Sequence, residues 1–351
     1  MSLKDIIEKT LSSWMRDGGP EADVVLSTRT RVARNLNNVP FPHVASDADL
    51  KGVVDTVRDA LKRSPALAGL YMLDLAEVSL LDRQILVEKH LVSPQHIGQV
   101  KNRAVVLRKD EVVSIMINEE DHIRIQTIFP GFQLERAWEL CSEIDDGLER
   151  GLDYAFDEKI GYLTACPTNV GTGLRASIMM HLPALAMTNQ VGRVLSSVSH
   201  LGIAVRGLYG EGTESSGNIY QLSNQVTLGR TEQDILENIK GVARQIIDQE
   251  RGARGYLLRE TRKQLEDRVY RAYGILANAR MITSEEALRL LSDVRLGIDT
   301  NLIPGIDRKI FNELMVLTRP AYLQKLMGRE LSPPERDVER ASFIRERVKE
   351  G

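Results

Sequence analysis

The spacing of apolar residues changes near residue 230. Before it, short β-branched runs at 104–107, 112–117 and 202–205 alternate with helical patterns near 50–62 and 134–148. Short apolar runs between polar segments predict strands, and their alternation with helices predicts packed layers of sheet and helix. After residue 230, Thr231 and Asp234 form a capping-box pattern, and apolar residues follow at 235, 239, 242 and 246. This spacing predicts a long helix.

In the last hundred residues the sequence pattern predicts helices only. Helix starts are expected at Ser284, Asp307 and Ser332, the last followed by Pro333 in the favoured first helical position. We place a domain junction in the glycine-containing segment 251–255, and a length of 351 residues suits two domains. The sequence therefore predicts an α+β protein, with a mixed α/β domain over 1–252 and an all-helical domain over 253–351.

Composition excludes several classes of function. Lys and Arg number 46 against 49 Asp and Glu, a net charge of −3, so no overall positive field attracts nucleic acid or an anionic membrane. Two cysteines without histidines at zinc spacing, Cys141 and Cys166, predict neither a disulfide framework nor a metal site, and favour a cytoplasmic location. No run of 18 apolar residues occurs, and the charged N-terminus does not resemble a signal peptide.

The glycine-rich segment 166–177, CPTNVGTGLRAS, is the most informative part of the chain. We expect a short strand at 161–165 before it and a helix beginning near Ala176 after it. Gly171, Gly173 and Ala176 match a loose dinucleotide fingerprint, but no acidic residue occurs from 195 to 205, and the P-loop lysine is absent. A turn between a cysteine and Arg175 remains, with helix N–H groups facing an anion. The alternative is a structural turn with a buried cysteine.

Three further segments carry candidate chemistry. A strand at 113–117 leads into adjacent acids at 119–121, which repel one another and predict a nearby cation, although a solvated loop is the alternative. Residues 206–217 hold four glycines around Glu211 and Glu214, which is typical of a mobile loop that closes over a ligand. Arg29 and Arg31 share one face if the chain is extended. They can clamp a polyphosphate, or they are simply exposed. The excess of 33 arginines over 13 lysines weakly favours phosphate or carboxylate binding.

Together these segments resemble the ATP:guanido phosphotransferases, the family of creatine and arginine kinases. Residues 166–177 are similar to the family's active-site signature, 118–124 (NEEDHIR) to its catalytic acid segment, and 206–211 to its mobile loop. The resemblance covers roughly residues 20–250. It implies a guanido-kinase-like domain, an antiparallel sheet flanked by helices, which uses ATP and Mg²⁺.

The resemblance also implies the roles of individual residues. Glu120 and Glu211 would grip the guanidinium, and Cys166 would touch it as a thiol or thiolate. Arginines 29, 31, 124, 175 and 206 would hold the ATP phosphates, and His90 would contact the adenine. The implied nucleotide-binding set is Ser27, Thr28, Arg29, Thr30, Arg31, His90, Arg124, Arg175, Ala176, Ser177, Ile178, Met179, Arg206, Gly207, Leu208, Tyr209 and Gly210.

Phosphoryl transfer to a guanidinium needs these residue types. Charge on the phosphoryl oxygens of a loose transition state is stabilised by cations, which arginines and Mg²⁺ supply. The guanidinium has a pKa above about 12 and must lose a proton as its nitrogen attacks. One carboxylate can align this group while the other takes the proton.

The chain departs from the kinases of small guanidino compounds. Ser27 follows only 26 residues, too few for the helical domain that normally precedes this catalytic unit, and a helical extension follows instead. Met179 stands where those kinases carry a nucleotide-contacting histidine. This architecture resembles that of bacterial protein-arginine kinases, and residues 336–341 (RDVERA) resemble their allosteric phosphoarginine-binding motif, here Arg336, Asp337, Arg340 and Ala341. Without the family, the same charges indicate a solvated terminal helix.

The resemblance implies an enzyme that phosphorylates accessible arginines of proteins and marks them for Clp-type proteolysis. Implied partners are an activator protein, a Clp-type ATPase or protease, and further copies of the chain in a homodimer or higher oligomer. One alternative is a kinase of a free guanidino metabolite such as arginine. Another is a non-catalytic adaptor that binds phosphoarginine, which Glu120, Cys166 and Glu211 argue against because a pure adaptor needs no second carboxylate.

Overall fold

One antiparallel sheet organises the first 230 residues of the computed structural model, which describes residues 12–15, 19–207 and 215–350. In chain order the strands are β1 (Val25–Arg34), β2 (Leu70–Asp74), β3 (Ala104–Arg108), β4 (Val113–Ile117), β5 (Ile123–Pro130), β6 (Phe156–Asp157), β7 (Gly161–Tyr162), β8 (Leu174–His181), β9 (Ile203–Gly207) and β10 (Ile219–Asn224). Eight of them form the sheet in the order β2-β3-β4-β5-β1-β8-β10-β9, and β6 pairs with β7. The strands expected at 104–107, 112–117 and 202–205 are confirmed.

Helices flank this sheet and build the C-terminal region. They are α1 (Asp47–Arg63), α2 (Leu80–Glu88), α3 (Pro94–Gly98), α4 (Leu134–Glu149), α5 (Pro183–Met187), α6 (Val191–Ser199), α7 (Glu232–Glu260), α8 (Arg262–Asn278), α9 (Ser284–Asp299), α10 (Lys309–Leu317), α11 (Pro320–Met327) and α12 (Pro333–Glu350). Short 3-10 turns lie at Ser13–Met15, Pro65–Leu67, Leu75–Glu77, Pro167–Asn169 and Ser216–Asn218. The predicted capping box of Thr231 and Asp234 begins α7, and the predicted α+β class is confirmed.

The helix predicted near Ala176 is wrong, because residues 174–181 form the central strand β8. Side chains alternate along it: Ala176 and Ile178 are fully buried on the face that α4 and α7 cover, whereas Arg175 and Ser177 lie on the other face. This two-residue period is that of a strand between two neighbours. The glycine-rich turn therefore leads into a strand, and no helix N-terminus faces an anion there.

Helix α7 connects the two regions without a break. It continues through 251–255, where the sequence predicts the domain junction, so a boundary at 252 falls inside a helix. Glu250 is fully buried in it and accepts hydrogen bonds from the amides of Ala184 and Leu185 at 3.1 and 3.0 Å. Arg254 donates to Glu250 at 2.8 Å and to the carbonyl of Asp23 at 3.0 Å. These bonds fix the end of α7 to the sheet region.

The helical region also contacts the sheet region directly. His181, at the end of β8, hydrogen-bonds to Ser292 of α9 at 2.8 Å, and Arg295 of α9 donates to the carbonyl of Ala22 at 2.7 Å. Glu88, at the end of α2, accepts from the amides of Ala321 and Tyr322 at the start of α11, each at 2.9 Å. In the described parts of the chain, no helix is long and apolar enough to cross a membrane.

Candidate active site

Strand register gathers the predicted arginines on one face of the sheet. Arg31 in β1 lies opposite Gln126 of β5 and Arg175 of β8, and directly opposed residues in antiparallel strands share a face. Arg29 is two residues away on the same face. Arg124 lies opposite Ala33 and so joins them, and Arg206 lies opposite Gln221, which pairs with Met179. The structure thus brings together all five arginines expected to hold phosphates.

These arginines are partly buried and repel one another. The pKa of Arg29 is lowered to about 10 by burial and by the charges of Arg124 and Arg175. Burial and the charges of Arg29, Arg124 and Arg175 also lower the pKa of Arg31. Burial, Arg206 and Arg124 also lower the pKa of Arg175. A bound polyanion would relieve this repulsion.

The arginines have few protein partners among the described residues. Arg29 donates to the side-chain oxygen of Gln221 at 2.8 Å, and Arg175 donates to the Ser223 hydroxyl at 3.3 Å. The Nε atoms of Arg31 and Arg175 and the Ser177 hydroxyl are buried without a hydrogen-bond partner. Buried donors without a partner are rare in proteins, so these groups suit a ligand rich in acceptor oxygens. The phosphates of ATP are such a ligand.

Neighbouring residues of the acidic segment 119–121 differ in their contacts. Glu119 accepts from Arg124 at 2.6 Å and from the Ser93 hydroxyl, so it serves to position Arg124. Glu120 is exposed to the cavity described below. Its pKa is raised by partial burial and by the charges of Asp121 and Glu119, against the opposing effect of Arg124 and Arg175. A carboxylate with a raised pKa is a better proton acceptor, which suits a general base.

Asp121 connects the acidic segment to Cys166. Its buried Oδ1 accepts from the amide of Ala165 and from the Nδ2 of Asn35, both at 2.7 Å. Ala165 immediately precedes Cys166, so this carboxylate holds the cysteine close to Glu120. The Sγ of Cys166 lies 3.0 Å from the Thr168 hydroxyl. The negative charges of Cys166 and Glu120 oppose the lowering of the pKa of Arg175 by burial and by the neighbouring arginines.

The glycines of the signature segment shape the turn into β8. Gly171 and Gly173 have φ values of +107° and +66°. A Cβ atom on Gly173 would lie 2.7 Å from the carbonyl oxygen of Ala33, and one on Gly171 would lie 2.7 Å from that of Thr227. Only glycine combines this backbone conformation with such close approach. The glycines therefore place Cys166 and Arg175 at the two ends of one tight turn.

A cavity of about 730 Å³ opens over the face of the sheet that carries these arginines, which we call the arginine face. His90 lines it, with its pKa lowered to about 3 by burial and by the charges of Arg29 and Arg319, so the ring is neutral near pH 7. Met179 lies in an adjoining crevice together with His90 and Ser27. The residues lining the cavity are Arg29, Arg31, Val87, Glu88, His90, Val92, Ser93, Pro94, Gln95, Arg103, Met116, Glu119, Glu120, Arg124, Gln126 and Arg319.

Several predicted nucleotide-binding residues lie elsewhere. Thr28, Thr30, Ala176 and Ile178 point to the opposite face of the sheet, because strand side chains alternate; the Thr30 hydroxyl donates to the carbonyl of Ala137 in α4 at 2.9 Å. Their side chains are not brought to the cavity. Ser177 lies on the arginine face, and Gly207 ends β9 beside Arg206. Leu208, Tyr209, Gly210 and Glu211 lie outside the described residues.

The four residues of the terminal motif differ in accessibility. Arg340 is buried, and its guanidinium donates to the carbonyls of Thr318 and Ile282 at 2.9 and 2.8 Å and to Asp337 at 2.5 Å. Ala341 is buried as well. Arg336 and Asp337 are half-buried. Of the four, these two therefore present accessible surface to a ligand.

Sequence reasoning missed residues that support the site. Asp121 and Asn35 connect the acidic segment to the cysteine turn, and Gln221 and Ser223 bind two of the arginines from β10. The signal for Gln221 and Ser223 was present in the sequence, since these polar residues alternate with the apolar Tyr220 and Leu222. The signal for Asp121 was hidden by its two acidic neighbours.

Comparisons with known proteins agree with this arrangement. Residues 52–253 match the family described as ATP:guanido phosphotransferase, C-terminal catalytic domain, and residues 262–351 match that described as protein-arginine kinase McsB C-terminal domain. A protein-arginine kinase of Pelotomaculum thermopropionicum is 52% identical over 348 residues, covering 98% of each chain. One of Halothermothrix orenii is 54% identical over 350 residues, covering 99% of each chain.

Solved structures show the same fold. A crystal structure of lombricine kinase aligns with a TM-score of 0.58 at 23% identity, over 70% of each chain. The duplicated taurocyamine kinase from Schistosoma mansoni with bound transition state analog components aligns with a TM-score of 0.61 at 26% identity, over 70% of this chain and 35% of that one. With its sheet, its basic face and its acidic segment, this chain belongs to the ATP:guanido phosphotransferase family.

Proposed function

We propose that the chain is an ATP-dependent protein-arginine kinase, which transfers the γ-phosphate of ATP to arginine side chains of proteins. The observation that carries the proposal is that Glu120 lines one cavity with Arg29, Arg31 and Arg124, while Asp121, next to Glu120, binds the amide before Cys166. Relatives 52–54% identical over nearly the whole chain bear the name protein-arginine kinase, and the match to the C-terminal domain of that enzyme supports the same substrate class.

In this proposal, the arginine face binds the ATP phosphates and stabilises the negative charge of the transferring phosphoryl group. Glu120 holds the target guanidinium beside Cys166, and the family resemblance assigns Glu211 the role of the second carboxylate. As a guanidinium nitrogen bonds to the γ-phosphorus, the bond from that phosphorus to the bridging oxygen breaks and ADP leaves. The attacking nitrogen becomes acidic as its N–P bond forms, and Glu120 takes its proton. The raised pKa of Glu120 favours this transfer.

Among the described residues no cluster of three or more His, Cys, Asp or Glu side chains could hold a metal ion, so in this proposal Mg²⁺ would be held by the phosphates of ATP and by water. When bound with ATP, it would add positive charge at the phosphates.

The resemblance of residues 336–341 to a phosphoarginine-binding motif supports a regulatory role for the helical region. We propose that phosphoarginine binds at Arg336 and Asp337 and changes the activity of the enzyme. By the same resemblance, the phosphorylated proteins are directed to Clp-type proteolysis in the cytoplasm, and the enzyme is a homodimer or higher oligomer that responds to an activator protein.

A kinetic comparison of substrates tests the proposed activity. Wild-type protein with ATP and Mg²⁺ is given either free L-arginine or an unfolded arginine-rich protein at the same arginine concentration, and ADP release is followed. We expect turnover with the protein and little with the free amino acid. An unfolded protein whose arginines have been converted to citrulline is the matched control and should give no turnover. Faster turnover with free arginine would assign the chain to the metabolite kinases instead.

A further inference from the structure

The cavity over the arginine face is closed on one side by a residue of the helical region. Arg319 precedes α11 and lies 95 residues beyond the end of the last strand at Asn224, yet it lines the same cavity as Arg29, His90 and Glu120. The sequence gives no hint of this contact, because Arg319 belongs to no motif.

Arg319 is held in place by contacts on both sides along the chain. Its amide donates to the carbonyl of Val316 at 3.0 Å, and the preceding carbonyl, of Thr318, accepts from buried Arg340 at 2.9 Å. The next two amides, of Ala321 and Tyr322, donate to Glu88, which itself lines the cavity. Tyr322 then packs on Ile85 of α2 in a small apolar cluster. The backbone of Arg319 is thus fixed relative to the cavity wall.

The charged groups of the cavity follow a definite order. Glu120 lines the cavity at the end where phosphoryl transfer is proposed. Arg29 and His90 follow, and both also line the adjoining crevice. Arg319 lines the cavity next to Glu88, which accepts from the two amides that follow Pro320. An ATP molecule whose γ-phosphate lies near Glu120 therefore extends its nucleoside towards His90 and Arg319.

We propose that Arg319 binds the nucleoside part of ATP, so that the helical region completes the nucleotide site of the catalytic region. The inference rests on the proposed function, because it takes ATP as the ligand of the cavity. A guanidinium is planar and stacks on flat rings, and its N–H groups can donate to ribose hydroxyls. A lysine ammonium cannot stack in this way, so the contact requires arginine.

Binding measurements with ADP and with inorganic tripolyphosphate test the assignment. Calorimetric titrations compare wild type, Arg319→Ala and Arg319→Lys. We expect Arg319→Ala to weaken ADP binding about tenfold, the scale of a partly desolvated stacked cation, and to leave tripolyphosphate binding unchanged. Arg319→Lys should weaken ADP binding several-fold. The control Arg329→Ala removes an exposed arginine that pairs with Glu335 at 2.8 Å, and it should bind both ligands as wild type does.

Each outcome has one meaning. Wild-type ADP affinity in Arg319→Ala would overturn the inference, and equal losses for ADP and tripolyphosphate would show that the residue contacts phosphate instead. Wild-type ADP affinity in Arg319→Lys would show that a planar guanidinium is not needed, and it would overturn the proposed stacking contact. If Arg319→Ala fails to fold, the lysine variant, which keeps the charge and most of the length, decides the question. If folded wild type itself fails to bind ADP, the proposed function falls rather than this inference.

Discussion

Replacement of Asp121 tests how the site is held together. Asp121 is 1% exposed, and its carboxylate accepts two hydrogen bonds, from Asn35 and from the amide before Cys166. Asp121→Ala leaves both donors without an acceptor in a buried place. Asp121→Asn keeps an oxygen at the same position and removes only the charge. The two variants therefore separate the hydrogen bonds from the electrostatic effect.

The expected magnitude follows from these contacts. Hydrogen bonds to a charged group contribute about 1.5–3 kcal/mol each, or about 3–6 kcal/mol for the pair. Burial opposes this gain, because it raises the pKa of Asp121 despite the bonds from Ala165 and Asn35. We expect Asp121→Ala to lower the free energy of unfolding by about 2–4 kcal/mol, and Asp121→Asn by about 1 kcal/mol.

The same change should move the pH dependence of catalysis. The charge of Asp121 raises the pKa of Glu120, second only to burial. Asp121→Asn removes that charge, so the pKa of Glu120 falls back towards its ordinary value. In the proposed mechanism Glu120 acts as a base and must be ionised, so the acidic limb of the kcat/KM profile should shift to lower pH than in wild type.

Urea unfolding followed by tryptophan fluorescence gives the stability, and initial rates between pH 5 and 9 give the profile. The matched control is Asp153→Asn, since exposed Asp153 also accepts from an asparagine, Asn37, at 3.1 Å, and its change should stay within about 0.5 kcal/mol. Equal stabilities of Asp121→Ala and wild type would refute the proposed bonding. An acidic limb that moves to higher pH in Asp121→Asn would refute the electrostatic reasoning.

Three further changes have definite expected outcomes. Glu120→Ala should lower kcat on the order of 10²-fold or more while ATP binding persists, and wild-type turnover in a folded variant would remove the catalytic assignment. Iodoacetamide should inactivate the enzyme at Cys166 and ATP should protect it, whereas Cys141, fully buried with its pKa raised to about 12 by burial, should not react; retained activity after labelling of Cys166 would count against its role. Arg336→Ala should leave basal activity in place and abolish the response to free phosphoarginine; unchanged phosphoarginine binding by calorimetry would refute this site.

Local patterns predicted most of the fold. The helices at Asp47–Arg63 and Leu134–Glu149 and the capped start of α7 follow from apolar spacing and cap residues, which act within a few residues along the chain. A helix was predicted in place of strand β8 because the residues that follow the glycines, Arg175 to Met179, resemble the start of a helix. The true period of β8 is set by β1 and β10 on either side, and these partners are distant in sequence.

The candidate site was predictable where one short segment carries the chemistry. Arg29 and Arg31 share a face in any extended strand, and Glu120 lies in a recognisable acidic segment. Which residues orient them depends on pairing between distant strands, as for Gln221 with Arg29, separated by 192 residues. Arg319 reaches the cavity only because α11 packs beside α2, an arrangement that no local pattern encodes.

Identifying the chemical bond that attaches the transferred phosphate to the substrate protein tests the central claim most directly. An unfolded arginine-rich protein is incubated with wild-type enzyme, ATP and Mg²⁺, and the product is mapped by mass spectrometry under conditions that preserve P–N bonds. The account predicts phosphate on arginine side chains, lost in acid and kept in mild base, and no such product with Glu120→Ala. Phosphate on serine, threonine or histidine instead, or equal labelling by the Glu120 variant, would contradict it.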